Sequence, residues 1–188
     1  MDIHLSKDLQ AVLGYARDEA MRTGHRGIGT DHLCLGILRH AANGACTLLE
    51  SLGVDTADLK RLIDARIWNG DIIPYSECEA VRITPEARRT LNLAIYESLR
   101  RNETQTRTTH LLLAICRQKG CAAAALLLDA GAGEEKIEEI IDAANAQARQ
   151  KSGGKRGTPS AEDIADAMER EIKRSALRFR VKSPDLPS

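Results

Sequence analysis

Near the start of the chain apolar side chains recur every three to four positions, at Leu9, Val12, Leu13, Ala16 and Ala20. That spacing lines them up on one face of an α-helix. Ser6, just ahead, is of the type that caps a helix N-terminus, and the pattern predicts a first helix ending near residue 23. A polar turn at 24–29 follows. Thr30 then reads as the cap of a short apolar helix carrying Leu33, Leu35, Ile37 and Leu38. A third helix over 43–51 closes at Gly53, since glycine readily takes the left-handed conformation that ends a helix. A fourth covers 56–68.

The same pattern returns 78 residues later, and residues 5–65 align with 83–143 without a gap. Identical pairs include Leu13/Leu91, Ala16/Ala94, Glu19/Glu97, Thr30/Thr108, His32/His110, Leu33/Leu111, Arg39/Arg117, Gly53/Gly131 and Asp64/Asp142. Thr84 and Pro85 supply the cap and first turn of the second set. A match of caps, turn glycines and apolar positions across four predicted helices indicates internal duplication. The expected fold is therefore all-α, with two tandem pseudo-symmetric four-helix repeats and about eight helices in one domain at 1–149. Repeat one covers 5–69 and repeat two 83–149. Between them, 70–82 contains Pro74, shows no helical period and reads as a connector.

Beyond the repeats, glycines and charges mark 150–159 as a flexible linker, and 160–188 reads as a basic helical tail. There Ile164, Ala167, Met168 and Ile172 form a thin apolar stripe beside Arg170, Lys173, Arg174 and Arg178, the four cations expected to dock the tail on an acidic surface. The acidic run at 134–139 is one such surface, and otherwise reads as solvated helix face.

Charge sharpens this division. Residues 1–150 carry 18 Lys+Arg against 21 Asp+Glu, and 151–188 carry 9 against 6. A near-neutral body without a basic stripe argues against a dedicated nucleic-acid surface, where phosphate neutralisation supplies most of the affinity. The five cysteines are odd in number and include no C-x-x-C pair, so neither a disulfide framework nor a zinc ribbon is expected. No basic-then-apolar leader opens the chain and no apolar stretch has membrane-spanning length, so a cytoplasmic location is expected.

No catalytic constellation emerges. Gly153-Gly154-Lys155-Arg156 lacks the remaining elements of a phosphate-binding loop, and the histidines do not form the H-E-x-x-H of a zinc helix. His32 and His110, equivalent in the two repeats, read more simply as bonding within their own helix N-termini than as paired catalytic groups. The cysteines sit in apolar or small-residue surroundings, against an activated thiolate. The expectation is no enzyme activity, no cofactor and no metal.

The stretch Gly29-Thr30-Asp31-His32-Leu33-Cys34-Leu35-Gly36-Ile37-Leu38 resembles the G-T-E-H-[IL]-L-L-G-[IL] signature of the Clp amino-terminal domain, a double four-helix repeat that caps the ClpA and ClpC unfoldases. Leu5-Ser6 and Ile83-Thr84 at the repeat starts, and Leu48-Leu49-Glu50-Ser51-Leu52-Gly53-Val54, extend the likeness over residues 1 to about 148. The resemblance implies a reception surface for adaptors and substrates with no catalysis of its own, here free-standing because no nucleotide-binding ring is present. It also implies two phosphoarginine-type pockets. One would be Ser6 with Asp31, a hydroxyl and an acid able to accept guanidinium hydrogen bonds. The other would be Thr84 with Thr109, where a threonine supplies no charge. Against the first pocket stands a simpler role for Asp31, since an acid in the first turn of a helix is favoured by the macrodipole without any ligand.

The function these features imply is a protein-interaction module, an adaptor, regulator or substrate-recognition accessory of a Clp-type ATP-dependent protease or chaperone, whose partners are that machine's subunits, adaptors or substrates. The alternative is a nucleic-acid or membrane-surface accessory working through the tail.

Overall fold

A computed structural model describes residues 4–152 together with Met168 and Arg170. The first copy contains β1 (His4–Leu5), α1 (Lys7–Arg22), β2 (Gly27–Ile28), α2 (Thr30–Arg39), α3 (Gly44–Ser51) and α4 (Thr56–Ile67). A connector with a 3-10 turn at Tyr75–Ala80 leads to the second copy: β3 (Arg82–Ile83), α5 (Pro85–Arg100), β4 (Gln105–Thr106), α6 (Thr108–Cys116), α7 (Ala122–Asp129) and α8 (Glu134–Ser152).

The periodic apolar positions form the predicted helices. Ser6 and Thr84 cap α1 and α5 through their hydroxyls, which accept from the amides of Leu9 and Ala87. Asn43 and Asp55 cap α3 and α4 through their side-chain Oδ1 atoms, which accept from amides in the first turns of those helices. Gly53 and Gly131 close α3 and α7 at φ +77° and +79°, as the turn signal requires.

Two expectations need correction. Thr30 and Thr108 are the first residues of their helices rather than the caps, positions held by Gly29 and Arg107. Their hydroxyls reach into the other copy instead: Thr30 Oγ1 pairs with Thr90 Oγ1 at 3.2 Å, and Thr108 Oγ1 accepts from the amide of Ala45 at 3.2 Å. The connector, read as lacking helical character, contains the 3-10 turn and is pinned to α1 by the hydrogen bond from Ile73 N to Met21 O.

The helices α2 and α6 are apolar on nearly every side and lie at the centre. Leu33, Leu35 and Ile37 on α2, and Leu111, Leu112, Leu113 and Ile115 on α6, are fully buried within one core that runs through both copies. A helix without a polar face needs neighbours all round. Around α2 these come from its own copy, α1, α3 and α4, and from the other, α5, α6 and α7.

Four two-residue strands complete the interlock. β1 pairs in parallel with β4, and β2 with β3, so each ladder joins one copy to the other. α8 runs three residues past Arg149, and the rest of the expected linker lies outside the described residues. Met168 is helical and half-buried against the core, and Arg170 is helical and exposed. Lys173, Arg174 and Arg178 lie outside the described residues.

Candidate functional site

The cross-copy ladders decide which of the candidate binding residues meet. The Ser6 amide donates to Thr106 O at 2.9 Å, which sets the start of α1 beside the start of α6, where Thr108 and Thr109 stand. Likewise the Thr84 amide donates to Ile28 O at 3.1 Å, setting the start of α5 beside Thr30 and Asp31. The partners expected within each repeat are thereby exchanged: Ser6 neighbours the Thr109 end, and Thr84 neighbours the Asp31 end. Repeat alignment alone assigns residues to copies and cannot show that strands pair across them.

Of the candidate residues themselves, the one carboxylate is Asp31, at the Thr84 junction, and that group is engaged. Asp31 Oδ1 accepts from the amide of Ala123 at 2.7 Å, at the N-terminus of α7. Burial raises its pKa above the usual carboxylate range, opposed by hydrogen bonds from the Ala123 and Ala122 amides and by nearby His25. At the other junction the Thr109 methyl lies against Gly44. The N-terminus of α3 is served there by the side chains of Asn43 and Thr108.

The two equivalent histidines have both ring nitrogens in use. His32 Nδ1 accepts from the Gly29 amide at 2.9 Å, and His110 Nδ1 from the Arg107 amide at 3.0 Å. Each ring therefore carries its proton on Nε2. That proton goes to Thr23 Oγ1 in the first copy and to Glu103 Oε1 in the second, each at 3.1 Å. Burial, His25 and Arg22 push the His32 pKa down to about 4, so the ring is neutral near pH 7. Neither ring has a nitrogen left for a substrate proton.

The thiols are equally unsuited to nucleophilic work. All five cysteines are free, with Cys34 and Cys46 buried and Cys78, Cys116 and Cys121 half-buried. Desolvation pushes Cys116 up to about 12, and it raises Cys34, Cys46 and Cys121 as well. A nucleophilic thiol needs the opposite shift. Among the described residues no three His, Cys, Asp or Glu side chains converge to hold a metal ion, and no helix is long and apolar enough to cross a membrane.

What the sequence reading passed over is a duplicated ion-pair cluster. Glu19 on α1, 2% exposed, is gripped by Arg22 and by Arg39 of α2, and Arg22 also reaches Asp64 of α4. In the second copy Glu97 on α5, 1% exposed, takes Arg100, Arg101 and Arg117. Arg117 of α6 continues to Glu134 and Glu138 of α8. The signal was present in the identities Glu19/Glu97, Arg39/Arg117 and Asp64/Asp142. Glu134 and Glu138, read as solvated, are thus partners of arginines, and both clusters tie the first helix of a copy to its second and fourth.

The surface is apolar in places. Trp68, Ile72 and Tyr75 are exposed at the end of α4 and along the connector, with the Arg22 guanidinium 5.7 Å from the Trp68 ring centroid. Leu128, on α7, is 67% exposed.

Comparison with known proteins agrees with this architecture. The Clp_N family, described as the Clp repeat (R) N-terminal domain, matches residues 4–94 and 82–176. The negative regulator of genetic competence ClpC/MecB of Bacillus subtilis is 28% identical over 132 residues, which cover 70% of this chain and 16% of that protein. Among solved structures, the N-terminal domain of the chaperone ClpD from Arabidopsis thaliana superposes with a TM-score of 0.57 at 16% identity, covering 78% of this chain and 96% of that one. The N-terminal domain of Hsp104 from Candida albicans gives 0.58 at 15%, covering 83% and 95%. The chain spans under a quarter of the length of the curated relatives it matches, and the likeness to the solved domains is one of fold. With two matches that together take in both copies and the ladders between them, this chain belongs to the Clp repeat N-terminal domain family.

Proposed function

We propose that this chain is a non-catalytic protein-interaction module, an adaptor, regulator or substrate-recognition accessory of a Clp-type ATP-dependent protease or chaperone. The observation that carries the reading is the pair of Clp_N matches, one for each copy. Its similarity to ClpC/MecB and to other Clp ATP-binding subunits supports a Clp machine as the partner. The chemistry of the site supports binding over catalysis, because the candidate acids, imidazoles and thiols are held in internal hydrogen bonds or kept neutral by burial.

The surfaces proposed for partners are the two cross-copy junctions. Asp31 beside Thr84 is the junction for a guanidinium-bearing ligand, since a carboxylate is what such a group pairs with. Ser6 and Thr109, at the other junction, offer hydroxyls alone.

The test is affinity capture from the native lysate with the full chain and a form ending at residue 150, the recovered proteins being identified by mass spectrometry. Recovery of Clp ATPase or peptidase subunits on both forms is expected. Recovery only of unrelated proteins, or of nucleic acid or lipid that is lost with the tail, would overturn the proposal in favour of a tail-driven accessory.

A further inference from the structure

The two copies provide an internal comparison at their third helices. α3 turns Gly44, Thr47, Glu50 and Ser51 to solvent, a polar outer face. At the same repeat positions α7 has Ala122, Ala125, Leu128 and Asp129, so Thr47 is replaced by Ala125 and Glu50 by Leu128. α7 is thus apolar on the face it shows to water as well as on the face it buries, which a helix at the edge of a solvated domain does not need. Beside it lies a groove of ≈ 830 Å³, whose α7 wall is made by Cys121, Ala122, Ala124 and Ala125 with Leu128 standing exposed along it, while Arg66, Lys119 and Glu134 give it a charged rim.

A projecting leucine next to a groove wall of small side chains is the arrangement that fits a copy of itself. Two α7 helices crossing antiparallel about a two-fold axis at Ala125 bring Leu128 of each copy opposite Ala122 of the other, where the groove is. Such an isologous contact is reciprocal by symmetry. Charge follows the same symmetry. Lys119 precedes the N-terminus of α7 and Asp129 ends it; both are exposed, and neither is ion-paired among the described residues. In this register Asp129 of each copy falls opposite Cys121 of the other, two residues from Lys119 and within reach of that lysine's long side chain, and the two helix dipoles are opposed.

We infer that the outer face of α7 is a self-association surface, through which two copies of this chain pair by exchanging Leu128 into the groove beside Ala122 and matching Lys119 with Asp129. The inference stands on α7 alone and is independent of whether a Clp machine is the partner.

Sedimentation equilibrium of the full chain from low micromolar to millimolar concentration tests it. The expected result is a monomer–dimer equilibrium that Leu128→Glu weakens by about 30-fold or more, as loss of a central buried anchor does. Lys119→Glu and Asp129→Lys each weaken the dimer, and the double swap restores it. Leu128 is exposed, so circular dichroism of Leu128→Glu should match the parent. A single monomer mass throughout, a dimer indifferent to Leu128→Glu, or a double swap no better than the single ones would overturn the inference.

Discussion

Asp31 shows how one side chain acquires a role that its place in the sequence does not suggest. In the first turn of α2 an acid is already favoured by its own helix dipole, but the carboxylate reaches across to the first turn of α7 in the other copy. The equivalent residue, Thr109, leaves that duty in the other half to Thr108 and Asn43. Because burial raises the pKa of Asp31, its ionised form is less favoured in the folded protein than in the unfolded chain. Its net contribution is therefore greatest at pH below the ordinary carboxylate range and is lost as pH rises through the folded value. Two substitutions separate charge from capping. Asp31→Asn keeps an acceptor for Ala123 and removes the desolvated charge, so its stability at pH 7 should equal or exceed the parent's. Asp31→Ala leaves the α7 amides without their acceptor and should lose about 1–3 kcal/mol. Urea unfolding of the two variants checks this, and a loss as large in Asn as in Ala would refute the capping account. The acid at 31 and the histidines bonding within their own turns were legible as residue types in a helix start. The partner of Asp31 lies 92 positions away, and no local pattern reports it.

Among the elements, the helices were readable because each repeats its apolar face several times at the 3.6-residue period, and the closing glycines mark where α3 and α7 stop. The strands were not. Two residues cannot display a period of two, and the hydrogen bonds that define β1 to β4 are satisfied only by the other copy. Closeness of packing also escaped the pattern, although Gly36 was visible in the motif. A Cβ at Gly36 would stand 2.5 Å from Val12 O and 2.9 Å from Ala16 N on α1, so the missing side chain lets α2 press directly onto the α1 backbone. Its counterpart on α6 is Ala114, fully buried against the second copy, so the same helix pair in that copy accommodates a methyl. Gly36→Ala should accordingly destabilise the protein by about 1–3 kcal/mol through overpacking, although alanine is the better helix former. Thermal unfolding of the variant checks the prediction, and a raised melting temperature would show that the α1–α2 contact can give way.

At the scale of the molecule, the 78-residue register invites a picture of two self-contained bundles side by side, and the packing is more entangled than that. Both ladders run between copies, Thr30 and Thr108 bond residues of the opposite copy, Asp31 caps the opposite α7, and α2 and α6 complete each other's burial. The repeat is thus a unit of sequence and not a unit of folding. A chain cut to residues 1–81 would leave β1 without β4 and β2 without β3, and would bare the side of α2 that faces α6. Each large apolar side chain left exposed costs about 1.5–3 kcal/mol, whereas a whole domain is stable by only about 5–15 kcal/mol. Exposing a handful of them, together with the loss of the cross-copy hydrogen bonds at about 1 kcal/mol each, exceeds that margin. The full chain should therefore unfold in one cooperative transition, with calorimetric and van't Hoff enthalpies in agreement, while the 1–81 fragment shows reduced helicity and no cooperative melt. Mixing it with an 82–188 fragment should recover helix as the ladders form between the two pieces. A fragment that melts sharply by itself as a monomer would mean that one copy can close its own core, and the cross-copy bonds would then be an addition to the fold and not its condition.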